Sequence, residues 1–141
     1  MSCDDLFDKN PVKNPSTMAP DVSFTALTED NKIAWFNAQS LRNPSKTLSI
    51  SGLPSGEQVI SIDYRPATGQ LYGLGISSRL YIINEQSGIA TALGEESFSP
   101  GIMGDNASID FNPTVDRVRL VTQSGQNLRL HPELGTVVAE D

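Results

Sequence analysis

The sequence predicts an all-β fold of antiparallel four-stranded meander repeats with a period of 47 residues, in a β-propeller-like but incomplete ring. The first observation is a repeated phrase: SIDYRP at residues 61–66 returns as SIDFNP at residues 108–113. The second is an apolar period of two within the units, and the third is a set of 11 glycines and 9 prolines that mark frequent turns. A fixed period of this length is typical of solenoids and propellers, in which each unit buries its apolar face against its neighbours.

The middle unit, residues 57–103, is predicted to form four strands because apolar and polar residues alternate in it. Ile60 and Ile62 point to one face of a strand, and Ser61 points to the other. Proline and glycine in the segment 65–69 favour a hairpin connection after that strand. The predicted strands of this unit are 59–65, 71–76, 80–83 and 89–93.

The third unit, residues 104–141, repeats this plan, with strands predicted at 107–112, 117–122, 127–131 and 136–140. The first unit, residues 23–56, lacks an opening strand because nothing before Phe24 matches the SID phrase. Its three strands are predicted at 24–28, 32–37 and 46–51. No window of helical length carries a capped apolar stripe, and therefore little or no α-helix is expected.

The number of units predicts an open ring. Propellers close with about four to eight four-stranded units, whereas this chain holds two and a fraction. An open stack should leave apolar sheet faces uncovered at both ends. We therefore expect either a longer polypeptide or a homo-oligomer, with a dimer favoured and with an apolar interface of sheet faces or edge strands.

The N-terminal segment differs from the rest, since it holds many charges and prolines and shows no apolar alternation. Residues 1–22 are therefore predicted to be a disordered tether. Cys3 is the only cysteine of the chain, so that no disulfide can form within it. It is interpreted either as an incidental free thiol or as the lipid attachment site of a processed bacterial lipoprotein. The second interpretation places the protein outside the cytoplasm, at the cell surface or in the periplasm.

The composition argues against several kinds of partner. With 141 residues and 38% hydrophobic side chains, the chain is long enough for one modest domain. A net charge of −7 argues against nucleic acid and against electrostatic docking on anionic lipid. No apolar run approaches membrane-spanning length, and membrane contact is expected only through a lipid on Cys3.

No catalytic residue, cofactor or metal site is predicted. His131 is the sole histidine and stands at the end of a predicted strand, which favours a structural or surface role over that of a general base. The acidic segments 29–31 and 105–106 could offer oxygen ligands to calcium, but they lack the alternating spacing of a dedicated loop. Turn and cap chemistry accounts for them better.

Asp63 and Asp110 hold matching positions on the opening strands of their units. A carboxylate buried between sheets is costly unless it accepts several hydrogen bonds or pairs with a cation. Either each aspartate anchors its own turn, or the opening strands line a central axis where both carboxylates face a ligand or ion.

Three arginines form a second candidate site. Arg117 and Arg119 alternate on one face of a strand, and Arg129 can join them from the neighbouring strand. Guanidinium groups on one sheet face could bind a carboxylate or a sugar acid. They could also pair with Asp or Glu of an adjoining unit, which we favour.

Three phrases, residues 62–72, 110–117 and 125–130, resemble in the same order an uncharacterised bacterial domain-of-unknown-function family, number 4394. The resemblance runs from about Phe24 to Asp141. It implies a secreted or surface protein with propeller-like repeats, and it supplies no catalytic residues. Members are commonly longer than this chain, which leaves closure of the ring open.

Together these features predict a non-catalytic binding or scaffolding protein at the bacterial cell envelope, with a protein or a carbohydrate as its ligand. The alternative is a propeller-type hydrolase or lyase acting on an extracellular sugar or lactone. Such an enzyme needs a cluster of titratable residues with shifted pKa values in one pocket. One histidine and one cysteine are a poor supply for that cluster.

Overall fold

The computed structural model describes residues 18–141, which form eleven β-strands and no helix. The strands are β1 (Ser23–Leu27), β2 (Lys32–Asn37), β3 (Lys46–Ser49), β4 (Val59–Tyr64), β5 (Leu71–Gly75), β6 (Arg79–Ile83), β7 (Ala90–Ala92), β8 (Ala107–Asn112), β9 (Arg117–Thr122), β10 (Asn127–Leu130) and β11 (Val137–Glu140). Within the described residues there is accordingly no helix long and apolar enough to cross a membrane. The predicted all-β class is confirmed.

The strands form three antiparallel meanders. Sheet 1 has the order β1-β2-β3, sheet 2 the order β4-β5-β6-β7, and sheet 3 the order β8-β9-β10-β11. Each pair of neighbouring strands is antiparallel. The three sheets formed by residues 18–141 do not close into a ring.

All eleven predicted strands are present, although several of them are shorter than predicted. β3, for example, ends at Ser49 rather than at Ser51. The N–H of Ser51 donates to the carbonyl of Gly88 at 2.9 Å, and its carbonyl accepts from the N–H of Ala90 at 2.8 Å. These two bonds tie the end of sheet 1 to the backbone of sheet 2, which a local apolar pattern does not reveal.

Sheet 2 lies between the other two sheets and is buried on both faces. One core joins it to sheet 3 and contains Leu74, Leu80 and Leu120. The other joins it to sheet 1 and contains Ile33 and Tyr81. All five residues of β5 are buried, as expected for a strand with a packed layer on each side.

The outer faces of sheets 1 and 3 differ in chemistry. On sheet 1, the rings of Phe24 and Phe36 stack with their centroids 5.6 Å apart. On sheet 3, residues of β8 alternate between buried and exposed, and the exposed set includes Asp110. Arg119 and Arg129 pair across β9 and β10 on the same outer face. Charged side chains therefore interrupt the expected apolar surface at sheet 3, where Val121 of the same face is 43% exposed.

Candidate functional site

The opening strands β4 and β8 lie next to each other and are joined by side chains of β4. The Oγ of Ser61 accepts a hydrogen bond from the backbone N–H of Ile109 at 3.0 Å. The Oδ2 of Asp63 accepts one from the N–H of Phe111 at 2.7 Å. β4 therefore presents a hydroxyl and a carboxylate, two residues apart, to alternate N–H groups on the free edge of β8. We call this arrangement the Ser-Asp clasp.

The clasp explains how Asp63 is accommodated between two sheets. Its second oxygen, Oδ1, accepts a hydrogen bond from the N–H of Tyr64 at 2.9 Å. Each carboxylate oxygen thus has a backbone donor, which offsets the cost of removing the charge from water. Sequence reasoning singled out Asp63 but missed Ser61, although the repeated SID phrase contains both residues.

Ser108 and Asp110 carry the same pair of side chains on β8, at the outer end of sheet 3. Both residues are exposed. Within residues 18–141, neither side chain takes part in a hydrogen bond or an ion pair. Asp110 lies opposite Arg119 in the ladder between β8 and β9. This second pair is therefore open to a donor from outside the described part of the chain.

Two of the three predicted arginines come together, but their common partner is an acid of their own sheet. Arg129 Nη2 lies 2.8 Å from Asp141 Oδ2, and Arg119 Nη2 lies 3.7 Å from the same oxygen. Arg117 instead donates from Nη1 to the carbonyl of Asp116 at 2.9 Å. The carboxylate of Asp141 thus occupies the position between Arg119 and Arg129 that an external anion would need.

An arginine that the sequence did not single out forms a buried ion pair between sheets 2 and 3. Arg65, whose side chain is 9% exposed, donates from Nε to Asp116 Oδ1 at 2.9 Å and from Nη2 to Oδ2 at 2.5 Å. Glu133 lies 3.4 Å from the same Nη2. The hydroxyl of Tyr72 accepts from Arg65 Nη1 at 3.4 Å and donates to the carbonyl of Pro132 at 2.9 Å.

This pairing fixes the charge state of both partners. The hydrogen bonds from Arg65 hold the pKa of Asp116 below its ordinary value of 3.8. Asp116 in turn raises the pKa of Arg65, and this effect outweighs the cost of burying the guanidinium. The bidentate geometry is the strong form of such a pair, and it connects the turn after β4 to the turn before β9.

A second carboxylate, Glu57, is held by hydroxyl groups of sheet 2. It accepts hydrogen bonds from the Ser77 hydroxyl and, at 2.8 Å, from the Tyr81 hydroxyl. Burial raises the pKa of Glu57, but these hydrogen bonds outweigh burial and leave the pKa below its ordinary value of 4.5. Burial and the contact with Glu57 raise the pKa of Tyr81 above 10.0. The cluster therefore favours a charged carboxylate beside neutral hydroxyls and gives neither group the midrange pKa that suits acid–base work.

A cavity of about 290 Å³ lies between β1 and β4. It is lined by Ser23, Phe24, Thr25, Ile62, Asp63, Tyr64 and Leu71. At its edge the hydroxyls of Thr25 and Tyr64 are 3.0 Å apart, and Tyr64 also donates to Glu85. Burial, together with the bond to Glu85, raises the pKa of Tyr64 above 10.0. We call this cavity the β1–β4 groove.

The other candidates from the sequence take part in local bonds. His131 Nδ1 accepts hydrogen bonds from the N–H groups of Glu133 and Leu134, at 3.2 and 3.3 Å, and so closes its own turn. Asp30 pairs with Lys32 at 2.8 Å and accepts from the hydroxyl of Thr28 at 2.5 Å. In the part of the chain that the structure describes, no three His, Cys, Asp or Glu residues are grouped closely enough to hold a metal ion.

A family model described as Domain of unknown function (DUF4394) matches residues 32–141. The chain belongs to this family. The matched region of the DUF4394 domain begins at the first residue of β2 and contains every strand from there to β11. Both members of the Ser-Asp clasp therefore lie within it, whereas β1 precedes it. No curated protein matches the chain.

The lipid attachment proposed for Cys3 concerns a residue outside both the DUF4394 match and the described residues. The last residues of the predicted tether are described, and they bond to sheet 1. The side-chain amide of Asn37 donates to Asp21 at 2.7 Å, and the N–H of Ala38 donates to the carbonyl of Val22 at 2.8 Å.

Proposed function

We propose that the chain is a non-catalytic binding or scaffolding protein of the bacterial cell envelope, built from propeller-type repeats whose end receives a further protein strand. The register of the sheets supports the repeat. Leu27 pairs with Ile33 in sheet 1. Leu74 and Leu80, which stand 47 positions after these two residues, pair with each other in sheet 2. The next shift by the same step leads to the pair Val121 and Asn127 in sheet 3.

The observation that carries the proposal is the open pair Ser108 and Asp110. It stands 47 positions after Ser61 and Asp63, whose side chains bind the edge of the next sheet. The same chemistry at the end of sheet 3 is suited to the same task, which is to accept two alternate backbone N–H groups of an extended strand. A binding site of this kind recognises protein backbone and requires no catalytic group.

The partner that we propose for this end is a second copy of the chain. Two copies bring together six sheets, within the range of about four to eight in which propellers close. The charged face of sheet 3 does not oppose this assembly, because interfaces that form and separate are about as polar as other protein surfaces and are rich in arginine. The interface at this end is therefore expected to be polar rather than apolar.

Sedimentation equilibrium of the full chain at micromolar concentration tests the assembly. The wild type is expected to associate toward a dimer. A double variant, Ser108→Ala with Asp110→Ala, should associate about tenfold more weakly or worse because both side-chain acceptors are lost. Thr136→Ala, an exposed substitution in the turn before β11, is the matched control and should behave as the wild type. A wild-type mass that stays at the 15.2 kDa of the monomer would contradict the proposal.

The envelope location rests on Cys3 and has its own test. In the native host, the wild-type protein is expected in the membrane fraction and the Cys3→Ser variant in the soluble fraction, because the lipid would have no attachment site. Retention of the Cys3→Ser protein in membranes would remove the argument for a lipid anchor, and it would leave the assembly unaffected.

A further inference from the structure

Among residues 18–141, strand β1 has no partner on one edge, where the other two sheets have an opening strand. β5 pairs with β4, and β9 pairs with β8, but β1 is the edge strand of sheet 1. The N–H of Thr28 donates to the carbonyl of Lys32, and the carbonyl of Val22 accepts from the N–H of Ala38. The N–H and C=O groups of the even-numbered residues of β1 therefore point toward β2. Backbone groups alternate along an antiparallel strand, and those of Ser23, Thr25 and Leu27 therefore point to the free edge.

The β1–β4 groove lies directly beside this edge. It offers about 290 Å³ between β1 on one side and Ile62 and Tyr64 of β4 on the other. These two residues stand 47 positions before Ile109 and Phe111, whose N–H groups bind Ser61 and Asp63 in the Ser-Asp clasp. The free edge of β1 thus corresponds to the edges of β5 and β9 that pair with β4 and β8. The N–H groups of Ile62 and Tyr64 correspond to those of Ile109 and Phe111, which β4 binds through its side chains.

We propose that the β1–β4 groove binds an extended strand with the Ser-x-Asp chemistry of β4 and β8, supplied by a different polypeptide. This inference rests on the proposed repeat. It concerns a partner at sheet 1, whereas Ser108 lies at the other end of the stack, on sheet 3. The bound strand pairs its backbone with Ser23, Thr25 and Leu27 as β4 pairs with β5. Its serine accepts a hydrogen bond from the N–H of Ile62, and its aspartate shares the N–H of Tyr64 with Asp63 Oδ1, which already accepts from it at 2.9 Å.

A second copy of this chain is a poor source of that strand. Its own opening strands are already engaged, since β4 pairs with β5 over Val59–Tyr64 and β8 pairs with β9 over Ala107–Asn112. Release of β4 would expose the cores on both sides of sheet 2, and release of β8 would expose the core between sheets 2 and 3. The occupant is therefore a strand that is free in its own protein, and strand addition at a sheet edge is an established mode of peptide recognition.

The register of the opening strands identifies which N–H groups of the bound strand should matter. In sheet 3, Asp110 lies opposite Arg119, and Ile109 donates its N–H away from β9, toward Ser61. In a peptide of the same sequence in the groove, the N–H of the aspartate faces β1 and the N–H of the isoleucine faces away from it. Methylation of these two nitrogens therefore gives a matched pair of probes.

The experiment uses a fluorescein-labelled peptide of residues 106–113 and the full chain carrying Ser108→Ala and Asp110→Ala, because the open pair would otherwise accept the isoleucine N–H of the peptide. Fluorescence anisotropy is the readout. The unmodified peptide is expected to bind saturably. Methylation of the aspartate nitrogen should weaken binding about tenfold or more, because one ladder bond is lost and a methyl group faces β1. Methylation of the isoleucine nitrogen should change the affinity by less than about threefold, since that nitrogen does not face β1.

Three results would overturn the proposal. The first is no binding of the unmodified peptide at millimolar protein. The second is equal weakening by the two methylations, which excludes pairing with β1. The third is peptide binding that falls as the protein self-associates in sedimentation, because a second copy then occupies the groove. Self-association of the wild type through Ser108 and Asp110 is measured separately, and its failure leaves the peptide result interpretable.

Discussion

Arg65 is the one charged residue that is buried among residues 18–141, and its ion pair with Asp116 connects sheets 2 and 3. A buried guanidinium without partners would be strongly destabilising, and here Asp116 binds it in a bidentate manner with Glu133 nearby. Asp116 itself is 32% exposed, so that water screens part of the interaction. The pair therefore acts mainly by avoiding an unpaired buried charge.

The first prediction is the pH dependence of this pair. The folded pKa of Asp116 lies below its ordinary 3.8, so that the stabilisation is complete above the unfolded value and is lost as the pH falls through the folded value. Asp116→Asn should cost about 1–2 kcal/mol at neutral pH, and the difference from the wild type should shrink below about pH 4. Urea unfolding from about pH 3 to pH 7 measures this difference in the free energy of unfolding.

The control for this prediction is Asp105→Asn, because Asp105 lies in an exposed loop and forms no ion pair within residues 18–141. Its stability should follow the wild type at every pH. A difference between Asp116→Asn and wild type that stays constant down to the most acidic condition would show that the carboxylate charge does not contribute.

At the scale of strands and turns, burial on both faces distinguishes sheet 2 from its neighbours. Leu80 is fully buried in the core between sheets 2 and 3. Leu80→Ala is predicted to cost about 2–5 kcal/mol, from lost burial and from the cavity left behind. Leu134→Ala, at a side chain that is 58% exposed, should cost less than about half a kcal/mol. Chemical denaturation gives the free energy of unfolding of the two variants. Equal values would mean that Leu80 is not a core residue.

Gly88, in the turn between β6 and β7, lies close to the backbone of sheet 1. Gly88 has φ +79°, and a Cβ there would overlap the carbonyl oxygen of Ser49 in sheet 1. Gly69 has φ +74° with nothing within 4 Å of the same position. Gly69→Ala should therefore cost about 1 kcal/mol from backbone conformation alone, whereas Gly88→Ala should cost about 2–4 kcal/mol because overlap is added. Thermal and urea unfolding compare them, and similar losses would argue against close contact between these sheets.

The strands were predictable from the sequence because their apolar period and turn residues are local. The C-terminal end of β3 was not, because Ser51 bonds to sheet 2 rather than to its own sheet. The partner of Asp63 was also hidden, since an N–H on β8 lies 48 positions away. The charged end of sheet 3 could have been read from the register, in which Arg119 replaces Tyr72.

At the scale of the whole molecule, the three sheets are joined by two cores, the Arg65 ion pair and the Ser-Asp clasp. The clasp differs from the others because it joins one sheet to the backbone edge of the next and is present a second time, open, at the end of sheet 3. That duplication connects the internal architecture to the proposed assembly. The clasp therefore underlies both the junction of sheets 2 and 3 and the proposed assembly.

Amide hydrogen exchange of the Asp63→Ala variant tests whether the Ser-Asp clasp joins sheets 2 and 3. The N–H of Phe111 should exchange at least about tenfold faster than in the wild type, while the N–H of Leu120, inside the ladder with β10, should change far less. Asp110→Ala is the matched control and should leave the exchange of Phe111 unchanged. If Phe111 stays as slow in Asp63→Ala as in the wild type, or accelerates only as much as Leu120, the clasp does not join sheets 2 and 3.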